Sequence, residues 1–215
     1  NVLRPLSTSD IDYTGLPRMS KPFALLNTKL CNCTIPIIVT TGSILEFDGD
    51  AIVNAANTNC LGGGGIDGAI NARGGEALRI AREELPLVNE DGTRCEVGDA
   101  KVTIAGELKC KYIIHAVGPN FNLMQSLDVD LNQFMEKLVS AYRQAMLVAQ
   151  KYQMKKIAFC IISGGIYAGI VPLFNLCAVA LKTIAAHLYD GLEQVHFYTY
   201  LPHEETVVRE LCHRL

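Results

Sequence analysis

Short apolar runs rich in β-branched residues alternate along this chain with longer stretches of helical period. Pro36-Ile-Ile-Val-Thr40 and Ala51-Ile-Val-Asn54 predict two strands. Asp99–Ala105 and Tyr112–Val117 predict two more, separated by the polar turn Leu108-Lys-Cys-Lys111. From Ile66 to about Glu84 the pattern becomes helical, despite Gly74-Gly75 in its middle. Leu131, Phe134, Leu138, Tyr142, Ala145 and Ala149 recur every three or four residues, which predicts an amphipathic helix. Lys156–Ile162 is almost wholly apolar, as a strand covered on both faces would be. A helix over Pro172–Leu188, a strand over Val195–Tyr200 and a last helix over His203–Arg214 complete the pattern. Alternating strands and helices predict a three-layer α/β/α sandwich around a central mixed, mostly parallel sheet. Residues 1–34 lack a clear period and carry Pro5, Pro17 and Pro22, so they read as an irregular N-terminal extension.

Composition narrows the function. The chain has 215 residues, 49% apolar and 19% charged, enough for one domain with its own core. A net charge of −3 with dispersed Lys and Arg argues against nucleic-acid binding by bulk electrostatics. The longest apolar stretch, Ile166–Leu188, is interrupted by Gly169, Pro172, Asn175 and Lys182, so no membrane span is expected. The eight cysteines are scattered and complete no Cys-x-x-Cys or paired-His motif, so no metal is expected and reduced thiols in an intracellular protein are. Asn32-Cys-Thr34 matches the glycosylation sequon, a pattern short enough to arise by chance. Because the chain starts at Asn1 rather than Met, it is expected to be a processed product or one domain of a larger multidomain chain.

The candidate chemistry lies in two glycine-rich loops that follow the strands expected to be central. Asp50-Ala-Ile-Val-Asn-Ala-Ala-Asn57 leads into Gly62-Gly-Gly-Gly-Ile-Asp67, and Lys156–Ile162 leads into Ser163-Gly-Gly-Ile-Tyr-Ala-Gly169. Glycines expose bare backbone N–H groups and admit a ligand more closely than any side chain allows. Ligands of α/β sheets gather at the carboxyl ends of the strands, so two such loops facing one crevice point to a diphosphate. Asn54 and Asn57 add fixed donors and acceptors, and Asp67 adds a carboxylate, otherwise a plain helix cap.

Other readings fail on spacing. Gly63, Gly65 and Gly68 formally satisfy the dinucleotide fingerprint, but eight residues separate Asn54 from Gly63, too many for the tight strand-to-helix turn. No Lys-Ser/Thr follows the glycines, which excludes a P-loop, and Ile161-Ile-Ser-Gly-Gly165 lacks the first glycine of a nucleophile elbow. His115, alone in an apolar strand, reads as a hydrogen-bonded core residue. Tyr200 at a strand end packs there or stacks on a base.

Four separated blocks carry a resemblance: Asp50–Asn57, Gly62–Asp67, Tyr112-Ile-Ile-His-Ala-Val-Gly-Pro119 and Ser163-Gly-Gly-Ile-Tyr167. In this order and spacing they resemble the macro domain family over residues 35–215, and most of all its branch of mono-ADP-ribosyl hydrolases that also deacetylate O-acetyl-ADP-ribose. His115-Ala-Val-Gly-Pro-Asn-Phe121 is also similar to viral macro domains and to those attached to ADP-ribosyltransferases. The resemblance implies ADP-ribose binding with no cofactor. Gly64, Gly65 and Ile66 would hold the distal ribose and a phosphate, Ser163, Gly164, Gly165, Ile166 and Tyr167 would wrap the diphosphate with backbone donors, and Tyr200 would flank the adenine. Asn57 and Asp67 would contact the distal ribose and position or activate a water.

Two departures bear on the fit. Gly42-Ser-Ile44 stands where the family has Gly-Asp-Ile, so Ser43 beside Ile44 is expected to read adenine more weakly or through water. Ala168 stands where Gly-Ile-Tyr-Gly is usual, with Gly169 one step later, and an added methyl or a shifted turn there is expected to change the fit of the diphosphate. The expected function is hydrolysis of mono-ADP-ribose from modified proteins, deacetylation of O-acetyl-ADP-ribose, or both. The alternatives are a non-catalytic reader of ADP-ribosylated proteins or free ADP-ribose, and a diverged pocket for another nucleotide. The expected compartment is intracellular, cytoplasm or nucleus.

Overall fold

Neighbouring residues along the strands are buried in alternate directions, and that alternation divides the core into two layers. The structure, a computed structural model, describes residues 21–30, 33–126 and 130–214. Its strands are β1 (Lys21–Leu30), β2 (Cys33–Thr41), β3 (Ala51–Ala56), β4 (Ala100–Ile104), β5 (Tyr112–Val117), β6 (Lys156–Phe159) and β7 (Gln194–Thr199). The helices are α1 (Gly65–Glu83), α2 (Phe121–Ser126), α3 (Leu131–Lys151), α4 (Leu173–Ala186) and α5 (Pro202–Arg214). One sheet runs in the order β1-β2-β7-β6-β3-β5-β4. The five inner strands are mutually parallel, and antiparallel β1 and β4 close the two edges. The architecture is therefore the expected α/β sandwich with a mixed, mostly parallel sheet.

Val53, Ile114 and Phe159 face the larger core, which Phe134, Leu138 and Tyr142 of α3, Leu176 and Leu181 of α4 and Val208 of α5 complete. Ile52, Ile113 and Ala158, one residue earlier on the same strands, face a smaller core with Ile70 and Leu78 of α1. Among the described residues no helix is long and apolar enough to cross a membrane.

Two segments depart from the sequence reading. Lys21–Leu30 is not irregular: it pairs antiparallel with β2, so the sheet begins ahead of residue 35. As an edge strand it tolerates Pro22, which lies where the register shifts. Residues 1–20, 31 and 32, from the same expected extension, lie outside the described residues. The second departure is in α1, which is broken at Gly75 (φ 67°, ψ −163°). On an unbroken helix, Asp67 and Arg82 would stand about 22 Å apart along the axis. They form a 2.6 Å ion pair instead, so the part after Gly75 turns back toward the part before it.

The turn after β4 enforces this break. A side chain at Gly75 would begin 2.6 Å from Glu107 Oε1, and one at Gly106 would begin 2.0 Å from the Gly74 carbonyl oxygen. The Gly74 carbonyl accepts from Glu107 N at 3.0 Å rather than capping a continuous helix. Gly75→Ala is expected to destabilise the fold by roughly 1–3 kcal/mol, because this backbone region is essentially reserved for glycine. Urea unfolding measures the loss, and an unchanged midpoint would show that the break is not confined by backbone geometry.

Candidate functional site

A crevice of about 300 Å³ opens at the carboxyl ends of β2, β3, β6 and β7. Most residues singled out from the sequence line it: Ser43 and Ile44 after β2, Asn57 beyond β3, Gly64, Gly65, Ile66 and Asp67 at the start of α1, Ser163 through Tyr167 after β6, and Tyr200 after β7; Asn54 and Ala168 do not. The parallel register brings these loops together, since Thr41 of β2 pairs with Thr199 of β7 and Val53 of β3 pairs with Phe159 of β6.

The first loop is folded by Asn57 itself. Its Oδ1 accepts from Cys60 N at 3.1 Å and its Nδ2 donates to the Gly62 carbonyl at 2.8 Å, so the amide braces the loop from within. The side-chain origin of a residue at Gly63 would lie 3.1 Å from both Asn57 Nδ2 and Asp67 Oδ2. The two polar groups thus flank Gly63, where any side chain would be crowded between them. Gly68 is needed as well, because a Cβ there would meet the Gly63 carbonyl oxygen at 2.5 Å. Helix α1 starts at Gly65, with Gly64 as a cap that offers no side-chain bond to the first turn. Such a helix start presents N–H donors to an anion.

The second loop is set by Ser163, a non-glycine residue at φ +57°. Its hydroxyl donates to the Pro119 carbonyl at 2.7 Å, so it ties this loop to the end of β5 rather than reaching the crevice. At Ala168 the expected effect of an added methyl is corrected, and the turn falls one residue later. Ala168 belongs to the short 3-10 turn Ile166–Ala168, and its methyl packs against the larger core instead of lining the crevice. The positive φ falls one step later, on Gly169, where a Cβ would meet the Phe121 ring at 2.6 Å.

Behind Asp67 lies a buried polar chain. Asp67 Oδ1 accepts from Arg82 Nη2 at 2.6 Å and from Asn54 Nδ2 at 2.7 Å, whereas Oδ2 is buried without a protein partner. Asn54 Nδ2 lies 3.2 Å from His115 Nδ1, and His115 Nε2 lies 2.8 Å from Thr103 Oγ1. Asn54 Nδ2 can only donate, so His115 Nδ1 accepts and its proton sits on Nε2. His115 is therefore a neutral, fully buried brace, and burial followed by the positive charge of Arg82 holds it well below the usual histidine value of 6.5.

The crevice contains no lysine or arginine among its lining residues. Asp67 and Glu204 supply its carboxylates, and Glu204 Oε2 is engaged by Tyr200 N at 2.7 Å and Leu201 N at 3.0 Å. An anionic ligand here meets peptide dipoles rather than side-chain cations. Cys160 also lines the crevice, but burial pushes its thiol up to about 12, so it offers no thiolate. Burial, then the charge of Asp67, raises the Tyr167 phenol. Sequence reasoning missed Arg82 and Glu204. Glu204 was recoverable, being a third-position helix glutamate that bonds back to the cap; Arg82 was hidden behind the assumption of a continuous α1.

A family profile described as Macro domain matches residues 53–171. A macro domain-containing protein of Caldanaerobacter subterraneus is 40% identical over 157 residues, covering 73% of this chain and 83% of that protein. An O-acetyl-ADP-ribose deacetylase of Salmonella typhimurium is 38% identical over 164 residues, covering 75% and 86%. Among solved structures, the Oceanobacillus iheyensis macrodomain with ADP is similar at a TM-score of 0.73 and 27% identity, covering 89% of this chain and 98% of that one. The Trypanosoma brucei macrodomain in complex with ADP-ribose gives 0.67 and 28%, covering 81% and 68%.

The neutral state of His115 makes stability depend on pH with a definite sign. The unfolded chain takes up a proton below about pH 6.5 that the folded chain refuses, so this contribution is complete above 6.5 and lost as pH falls below it. His196, lowered by burial and by Lys156, acts in the same direction. The expected slope is up to about 1.4 kcal/mol per pH unit for each histidine. Thermal melts from pH 7.5 to 5 should show it, and His115→Gln should flatten it; an unchanged slope would mean His115 is not the group responsible.

Proposed function

Since the chain belongs to the macro domain family, we propose that it binds ADP-ribose in this crevice and acts as a hydrolase, releasing mono-ADP-ribose from modified protein carboxylates or acetate from O-acetyl-ADP-ribose. The relative named O-acetyl-ADP-ribose deacetylase and the relatives solved with ADP and ADP-ribose support this reading. The observation that carries it for this chain is that Asn57 Nδ2 and the unpartnered Asp67 Oδ2 flank the backbone of Gly63 in the wall of the crevice.

In this reading the diphosphate lies between the start of α1 and the Ser163–Tyr167 loop, held by backbone N–H groups. The distal ribose reaches Gly64–Ile66, and Tyr200 flanks the adenine near Ser43 and Ile44. A water or ribose hydroxyl that enters the crevice beside Gly63 receives a hydrogen bond from Asn57 and donates one to Asp67, which orients the oxygen that attacks. When the C1″–O bond to a protein carboxylate breaks, the leaving group is stable as an anion and needs no separate acid; when water attacks the acetyl carbon instead, the expelled ribose oxygen takes the proton that the attacking water gives up through Asp67. The ligand's own phosphate supplies further charge beside the reacting carbon.

Asp67→Ala and Asn57→Ala are each expected to lower turnover about 10²–10⁴-fold, the usual weight of a positioned proton acceptor or donor. Release of ADP-ribose from an automodified transferase is the measurement, run beside ADP-ribose calorimetry on the same proteins. Turnover that survives both substitutions would remove the roles assigned to these residues. Tight binding by the unaltered protein with no release of product would select the reader function instead. Because no side-chain cation lines the crevice, the ADP-ribose Kd should change less than about threefold between 0.05 and 0.5 M NaCl. A steep salt dependence would mean that a lysine or arginine takes part in binding.

A further inference from the structure

We propose that Arg82 is a positioning residue for the hydrolytic step, holding the Asp67 carboxylate and the Asn57 loop in one fixed geometry; this rests on the role proposed for Asp67. Arg82 has the largest fully buried side chain in the described core, at 0% exposure. An isolated buried guanidinium is unfavourable, and an apolar side chain of similar volume would fill the space with less desolvation. What the guanidinium adds is direction. Its planar fork offers donors along fixed lines, which a lysine ammonium cannot reproduce.

Each line reaches a different part of the site. Nη2 holds Asp67 Oδ1 at 2.6 Å, Nη1 lies 3.5 Å from Asn71 Oδ1 in α1, and Nε donates to the Cys60 carbonyl. Cys60 is the residue whose N–H is held by Asn57 Oδ1. One side chain therefore spans from the loop that Asn57 folds to the carboxylate of Asp67. With Oδ1 taken by Arg82 and Asn54, the carboxylate is held in one orientation, and Oδ2 stays beside the Gly63 backbone in the crevice wall. Arg82 itself does not line the crevice, so it acts on the ligand only through these neighbours.

The test is a double-mutant cycle in the full chain with Arg82→Gln, Asp67→Asn and the two combined, scored by kcat for ADP-ribose release, ADP-ribose Kd and thermal midpoint. Arg82→Gln is expected to lower kcat about 100-fold while Kd shifts less than about threefold, as loss of alignment at a reacting group does. In the Asp67→Asn background the same change should lower kcat less than about threefold further. Equal losses in both backgrounds would show a role in stability alone and overturn the proposal, as would full kcat in Arg82→Gln. If Asp67→Asn alone keeps full kcat, the role given to Asp67 fails instead, and the two failures are thereby distinct. Arg82→Lys keeps the charge and serves if Arg82→Gln does not fold. Lysine should show the same loss of kcat, and full activity there would overturn the requirement for the fork.

Discussion

A carboxylate enclosed by protein needs a counter-charge, and the ion pair between Asp67 and Arg82 meets that need with both side chains almost fully buried. Much of the site's geometry follows from it. The pair forms only because α1 breaks at Gly75 and returns. That break in turn depends on the turn at Gly106 and Glu107 pressing against Gly74 and Gly75. A loop on the far side of β4 thus reaches the crevice through backbone contacts and one buried side chain. The polar chain through Asn54 and His115 to Thr103 braces the same carboxylate from the sheet, where Asn54 and His115 are register partners on β3 and β5.

Parallel strands do the rest by bringing their carboxyl ends to one edge. Each loop there has a separate internal restraint: Asn57 across the first glycine loop, the Ser163 hydroxyl on Pro119 in the second, and Glu204 on the backbone of Tyr200 and Leu201 in the third. Side chains are spent on shaping the loops, which leaves backbone to face the ligand.

Much of this was legible in the chain because strands and ligand loops carry local signals. Tyr112–Val117 announces itself by composition, and glycines after the apolar runs mark the crevice. The break in α1 was not legible, since a glycine pair inside a helical period costs only about 1 kcal/mol per residue and is often tolerated. Its cause lies some thirty residues away, at Glu107. Arg82 was hidden for the same reason. Strand β1 was missed because Pro22 and the lack of alternation fit an edge as well as a loop. At Ala168 the motif left an added methyl and a shifted turn both open, because counting along a motif does not say which way a methyl turns within a 3-10 turn.

A crevice lined with peptide groups has an unusual sensitivity to substitution. Replacements of side chains such as Ile66, Ile166 and Tyr167 leave every N–H in place, since the donors belong to the main chain. Tolerance ends where space is already taken: a Cβ at Gly68 meets the Gly63 carbonyl oxygen, and one at Gly164 meets Ile161 at 2.5 Å. Gly165, by contrast, has nothing within 4 Å of that position. Sequence drift in this site is therefore confined by local sterics at Gly63, Gly68 and Gly164 and by positive φ at Gly62 and Gly65, while the side chains between them are less constrained.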